Sequence, residues 1–283
     1  MSDFPADVVY RPRGRARGLR PGAHRGRDTG GLGTFRDQVP FLRLPDARRI
    51  DLRASLRDPF ENTWVRQFET RTAVEVWVLV DLSASMRFRG SGTRMNLALD
   101  LCRGLAASAT RISDGFGLIA ADETVRDDLI LSATRRPGQA LDAVAKLAEA
   151  EPRGRSAEGL LEGARRLAGR PKLVFVVSDF RWPEAAIAAL FEALAFHDVV
   201  PVLLADSAED AALPAWGLLE LDDLEGAGRR VVFMRPALRR RWREREQTRL
   251  AALARISGAY GRPPFRLEDR FDAEALSRHL LAT

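Results

Sequence analysis

At 283 residues, 46% of them hydrophobic and 30% charged, the chain can bury one large core or two small ones, which excludes a disordered or fibrous class. Its net charge of +6 is uneven: residues 1–57 hold thirteen arginines against six aspartates, so the basicity belongs to one end rather than to the whole fold. Cys102 is the only cysteine, no apolar run approaches the ~18 residues of a membrane span, and the start MSDFPADVVYRPRGR lacks an apolar signal core, which together predict a cytoplasmic chain without disulfides.

Residues 1–33, rich in Arg, Gly and Pro, show no hydrophobic period and predict a basic loop or extended arm. Over 34–71, Pro45 and Pro59 argue against one long helix, so short strands or turns packed on the neighbouring domain are expected. From residue 72 the pattern changes. Val74–Val80 is a short Val-rich run that fits a buried parallel strand. Thr93 can cap a helix whose apolar positions run from Met95 to Ala109. Gly115–Ala120 predicts a strand and Val125–Leu131 an edge strand beside it. Helices are expected over 137–149, 156–167 and 183–195, with strands at 173–177 and 199–204. After residue 225 come a short strand at 230–234, a long helix from Pro236 to about Ser257, and a last helix at 273–281; a strand at 217–221 precedes them. Alternating strands and helices predict an α/β fold, a Rossmann-like parallel sheet with a mixed edge between two helical layers. Right-handed crossovers put the strand C-termini on one edge, where such folds bind ligands. The expected divisions are 1–33, 34–71, 72–225 and 226–283.

Asp81-Leu82-Ser83-Ala84-Ser85 follows the first buried strand directly. This D-x-S-x-S spacing can aim one carboxylate and two hydroxyls at one point, which suits a hard cation such as Mg²⁺ (or Mn²⁺). The same side chains can also cap the following turn. Asp179 closes another predicted strand, and Ser156, in GRSAEGL, either caps a helix or adds a third hydroxyl.

With these residues in order, the chain resembles the metal-ion-dependent adhesion site of von Willebrand factor A domains. More closely, it resembles the bacterial DUF58 proteins, through RRIDLRASLRDP, the DLSASM loop, LVFVVSDF, HDVVPVLLAD and LPAWGLLELDDLEG. FRDQVPFLRLPDARRIDLRASLRDPF looks like the subgroup found in methanol-oxidation operons. The resemblance implies a von Willebrand factor A-like domain over 72–225 that binds Mg²⁺ through Asp81, Ser83, Ser85, Ser156 and Asp179. It also implies a non-catalytic role beside a MoxR-type AAA+ ATPase, in maturing a client protein or enzyme. In A domains a partner's Asp or Glu fills the last coordination position. Ser156 stands where A domains more often have Thr, and Leu52 where many DUF58 members have Trp.

Other features point elsewhere. The arginines of 11–27 could meet phosphates, but no aromatics interleave with them, so pairing with acidic protein surface is the preferred reading over nucleic acid. Arg239, Arg240, Arg241 and Trp242 open the long helix; they read as a solvated face, or as a docking face for an acidic partner. A metal-assisted hydrolase or phosphotransferase using the same pocket is the catalytic alternative. No H-E-x-x-H, G-x-S-x-G or P-loop motif supports it, and phosphatases with an Asp nucleophile carry a second Asp where Ser83 stands.

Overall fold

A computed structural model describes residues 7–13, 21–88, 90, 92–152, 154, 156–208, 214–223 and 228–282. Part of the basic arm (14–20), Arg153 and Arg155 beside Ser156, and parts of the acidic stretch (209–213, 224–227) lie outside the described residues. The chain divides into two units, Gly14–Val74 and Met1–Arg13 with Glu75–Thr283.

The Gly14–Val74 unit is built on an antiparallel pair, β1 (Pro21–Pro40) with β2 (Trp64–Thr72), whose register shifts at four places along β1. A ladder needs only backbone N–H and C=O groups, so a stretch without hydrophobic period can still pair, with bulges where it is glycine-rich. This corrects the expectation of a loop over 21–33. A single helical turn, α1 (Leu52–Ser55), is capped by Asp51, whose Oδ1 accepts from the Ala54 amide at 3.2 Å.

Residues 7–13 are not a free arm either, because Val8 and Tyr10 are buried in the larger unit. The Val8 amide donates to Ser108 Oγ (2.8 Å), the Val9 amide to Ser277 Oγ (2.9 Å) and the Tyr10 hydroxyl to Asp114 (2.7 Å).

The larger unit is organised by a six-stranded sheet. Its strands are β3 (Glu75–Asp81), β4 (Gly115–Ala121), β5 (Leu131–Thr134), β6 (Leu173–Ser178), β7 (Asp198–Ala205) and β10 (Phe265–Glu268), in the order β10-β7-β6-β3-β4-β5. All neighbours are parallel except the β4–β5 pair, so the expected mixed edge is present. The apolar runs occupy the centre: β4 and β6 are buried at every position, as strands covered on both faces must be. Gly117 leaves room for an aromatic ring on β3, since a Cβ there would stand 2.5 Å from the Trp77 indole.

Helices cover the sheet. They are α2 (Arg94–Arg111), α3 (Pro137–Glu149), α4 (Gly159–Arg165), α5 (Glu184–Ala193), α6 (Pro236–Tyr260) and α7 (Ala273–Ala282). Thr93 caps α2 as expected, accepting from the Asn96 amide at 3.1 Å. One core joins Leu79, Val174 and Val176 of the sheet to Leu160 of α4, Phe191 of α5, and Leu253 and Ile256 of α6. Among the described residues, the two strands expected after residue 215, β8 (Gly217–Asp223) and β9 (Gly228–Met234), pair only with each other.

Two elements sit elsewhere than expected. The edge strand begins at Leu131, not Val125, because Asp127–Leu129 forms a 3-10 turn instead. The helix foreseen from Ser156 opens only at Gly159. There its backbone packs so closely on the Asp122–Thr124 turn that a Cβ would lie 2.4 Å from the Thr124 carbonyl carbon.

Candidate functional site

The C-terminal edge of the parallel strands gathers buried acids: Asp81 ends β3, Asp179 follows β6 and Asp206 follows β7. Parallel strands deliver them together because each chain segment leaves the sheet on the same side.

Asp81 is fully buried. Its Oδ1 accepts from the Ser83 amide (2.7 Å) and its Oδ2 from the Ser178 hydroxyl (2.6 Å). These bonds fix the carboxylate's orientation and turn the chain into the Ala84–Arg87 3-10 helix. Ser83 Oγ and Ser85 Oγ lie 3.0 Å apart. Burial, and then the nearby negative charge of Asp179, push the Asp81 carboxyl up to about 7, although the hydrogen bonds from Ser178 and Ser83 act the other way.

Asp179 is held by a side chain that sequence reading did not single out. Arg94, at the first turn of α2, donates from Nη1 to Asp179 Oδ2 (2.7 Å) and to the Ser85 carbonyl (3.0 Å). Both partners of the pair are buried, at 3% and 1% exposure. The guanidinium also lies 4.9 Å from the Phe88 ring centroid. Arg249 of α6 adds a second clamp, donating to the Asp179 and Phe180 carbonyls at 2.7 and 3.1 Å. Arg94 lies on the same buried helical stripe as Leu97, Ala98 and Leu101, and a charge on an apolar stripe was the available signal. Arg249 had none among so many arginines.

Among the described residues, Ser156 is not brought into this cluster by any hydrogen bond; its Oγ accepts only a long contact, 3.5 Å, from the Glu158 amide. Its loop does reach the site, since the Ala84 amide donates to the Gly154 carbonyl at 3.1 Å. Arg239, Arg240, Arg241 and Trp242 lie on the first turns of α6, where Arg240, Arg241 and Trp242 are exposed.

Among the described residues no three His, Cys, Asp or Glu side chains form a metal-ligating group, so a cation here would depend on hydroxyls. The donor set suits one. Magnesium bonds of 2.0–2.1 Å in an octahedron place adjacent ligands about 2.9 Å apart, close to the Ser83–Ser85 oxygen separation of 3.0 Å. Asp81 and Asp179 are both buried carboxylates; the buried Arg94 guanidinium bonds to Asp179, whereas the bonds that Asp81 accepts come from the neutral Ser83 amide and Ser178 hydroxyl, and burying a carboxylate's charge is expensive. Asp179, engaged by Arg94, fits a neighbouring role rather than a direct bond.

Residues 45–251 match the family model described as "Protein of unknown function DUF58". The chain belongs to the DUF58 family. All the candidate residues above fall inside the DUF58 match. A Paracoccus denitrificans relative described as "Uncharacterized protein in moxR 3'region" is 39% identical over 95 residues, covering 34% of this chain and 90% of that protein. An uncharacterized Mycobacterium tuberculosis protein is 28% identical over 225 residues, 77% of this chain and 69% of its own length. Solved structures similar to this DUF58 chain include an aerotolerance-related membrane protein from Bacteroides fragilis (16% identity, TM-score 0.46, 75% of this chain and 100% of that one). The SpRpn10 VWA domain is another (15% identity, TM-score 0.41, 75% and 96%).

Proposed function

We propose that this DUF58 protein is a non-catalytic, metal-dependent protein-binding factor that works with a MoxR-type AAA+ ATPase in maturing a client enzyme, of which a methanol dehydrogenase-like complex is one candidate. The observation that carries the reading is the convergence of Asp81, Ser83 and Ser85 at the sheet edge, next to a second buried carboxylate. The ATPase enters through the Paracoccus relative, whose description places it in a moxR 3' region.

Asp81, Ser83 and Ser85 would hold Mg²⁺ or Mn²⁺, with Ser156 on the adjoining loop. The cation would offer a coordination position to a partner's Asp or Glu. Ser178 keeps the Asp81 carboxylate aimed, and Arg94 keeps the Asp179 carboxylate in place. Around the first turns of α6, Arg240, Arg241 and Trp242 are exposed and Arg239 half-buried, and the exposed guanidiniums and indole suit an acidic partner.

Cys102, His197 and His279 are otherwise engaged. The Cys102 thiol is buried and pushed up to about 12 by desolvation. The rings of His197 and His279 bond to the Leu167 and Pro263 carbonyls at 2.8 and 3.1 Å.

The test is capture of the purified ATPase on the immobilised full chain. Retention in Mg²⁺, release by EDTA and loss in Asp81→Asn are expected. Equal retention with EDTA and by Asp81→Asn would refute metal dependence.

A further inference from the structure

The Gly14–Val74 unit carries thirteen arginines against seven carboxylates, a balance of +6 that equals the formal net charge of the entire chain. Four large apolar side chains protrude from the same unit: Leu42 is 94% exposed, Leu52 71%, Leu56 87% and Phe60 81%. All four belong to the end of the β1–β2 ladder where Pro40 pairs with Trp64. There the Phe41 amide donates to the Thr63 carbonyl, and the Asp51 amide to the Trp64 carbonyl, both at 2.8 Å.

The helical turn at the centre of this end is inside out. A short amphipathic helix is ordinarily held by burying its apolar stripe. Here α1 is held by its polar groups. Asp51 Oδ2 accepts from Arg66 Nε (2.8 Å) and Gln38 Nε2 (2.9 Å), while Ser55 Oγ donates to the Asp51 carbonyl and accepts from the Trp64 amide, both at 2.8 Å. Leu52 and Leu56, one turn apart on one face, are left to solvent. Arg43, Arg48, Arg53 and Arg57 are exposed around them and form no ion pair among the described residues.

We propose that this end of the unit docks on an anionic lipid surface. Exposed aliphatic and aromatic side chains beside unpaired arginines suit the boundary between headgroups and acyl chains, where carbon leaves water and guanidinium meets phosphate. The shape also favours lipid. A side chain that is 94% exposed is a projection, which a protein partner must match with a pocket but a fluid bilayer accommodates. A second copy would bring the same unpaired arginines together. This attachment is independent of the Asp81 site.

The experiment is co-sedimentation of the full chain, in EDTA, with vesicles of phosphatidylcholine alone or of an equimolar mixture with phosphatidylglycerol. The chain should sediment with the anionic vesicles only and be released by high salt. The double variant Leu52→Ser/Leu56→Ser should lose at least about tenfold in affinity, because those carbons no longer leave water, with its thermal midpoint unchanged. Arg53→Gln/Arg57→Gln should flatten the salt dependence. Three results would overturn the proposal: no sedimentation with anionic vesicles, undiminished binding by the folded leucine variant, or a dimer in sedimentation velocity that only this variant abolishes, which assigns the surface to a second copy.

Discussion

Arg94 and Asp179 illustrate how much one buried pair decides. Truncating one partner of such a pair leaves the other charge buried and uncompensated, at about 3–5 kcal/mol. Arg94→Met should therefore lower the stability of the metal-free protein by about that amount in urea unfolding, and added Mg²⁺ should recover part of it. An effect under about 1 kcal/mol would mean that solvent or Arg181, 3.8 Å from Asp179, already balances the carboxylate. His197 supplies a pH handle away from the site. The Lys172 amide donates to its Nδ1 (3.4 Å), so Nε2 carries the proton given to the Leu167 carbonyl, and burial lowers the ring's pKa. The folded form then binds fewer protons than the unfolded one just below the ordinary histidine value of about 6.5. The stabilisation is complete above that value and is lost as pH falls through the folded pKa. Between about pH 7 and about pH 5, the thermal midpoint of His197→Gln should fall less steeply than that of the parent chain; equal slopes would contradict this. At this scale the placement of Asp81, Ser83, Ser85 and Asp179 at the C-terminal edge of the sheet was legible, because each follows an apolar run that ends there. Ser156 was only half legible, since its helix begins three residues later.

Among the elements, β3, β4, β6 and β7 could be read directly, because central parallel strands must be apolar on both faces. The strand β10 could not. It has four residues, buries only Leu267, and pairs with β7 through backbone groups. The same reason hid β1. The long helix α6 was legible in extent but not in how it is held: its buried residues are Ala252, Leu253, Ile256 and Ser257, all in the second half, while Arg240, Arg241 and Trp242 face outward. The two halves should therefore separate stability from recognition. Leu253→Ala should cost about 2–5 kcal/mol in urea unfolding, whereas Arg241→Ala should stay within about 0.5 kcal/mol and weaken retention of the ATPase. A destabilised Arg241→Ala would undo that division of labour.

For the whole molecule, composition located the charge but not the boundary. The sequence suggested a basic arm ending near residue 33, whereas residues 7–13 belong with the α/β unit and the net charge resides in Gly14–Val74. The boundary was hidden because Val8 and Tyr10 are isolated apolar residues whose burial depends on Ser108, Asp114 and Ser277, distant in sequence. In the larger unit, the parallel sheet brings loops that are far apart in the chain to one edge, where the proposed divalent cation would be bound by their oxygens. Titration of Mn²⁺ into the full chain, followed by electron paramagnetic resonance, tests this most directly. A single bound Mn²⁺ per chain is expected, displaced by Mg²⁺ and absent from Asp81→Asn, with the thermal midpoint rising on binding as mass action requires. Identical titrations for the parent chain and Asp81→Asn would contradict it.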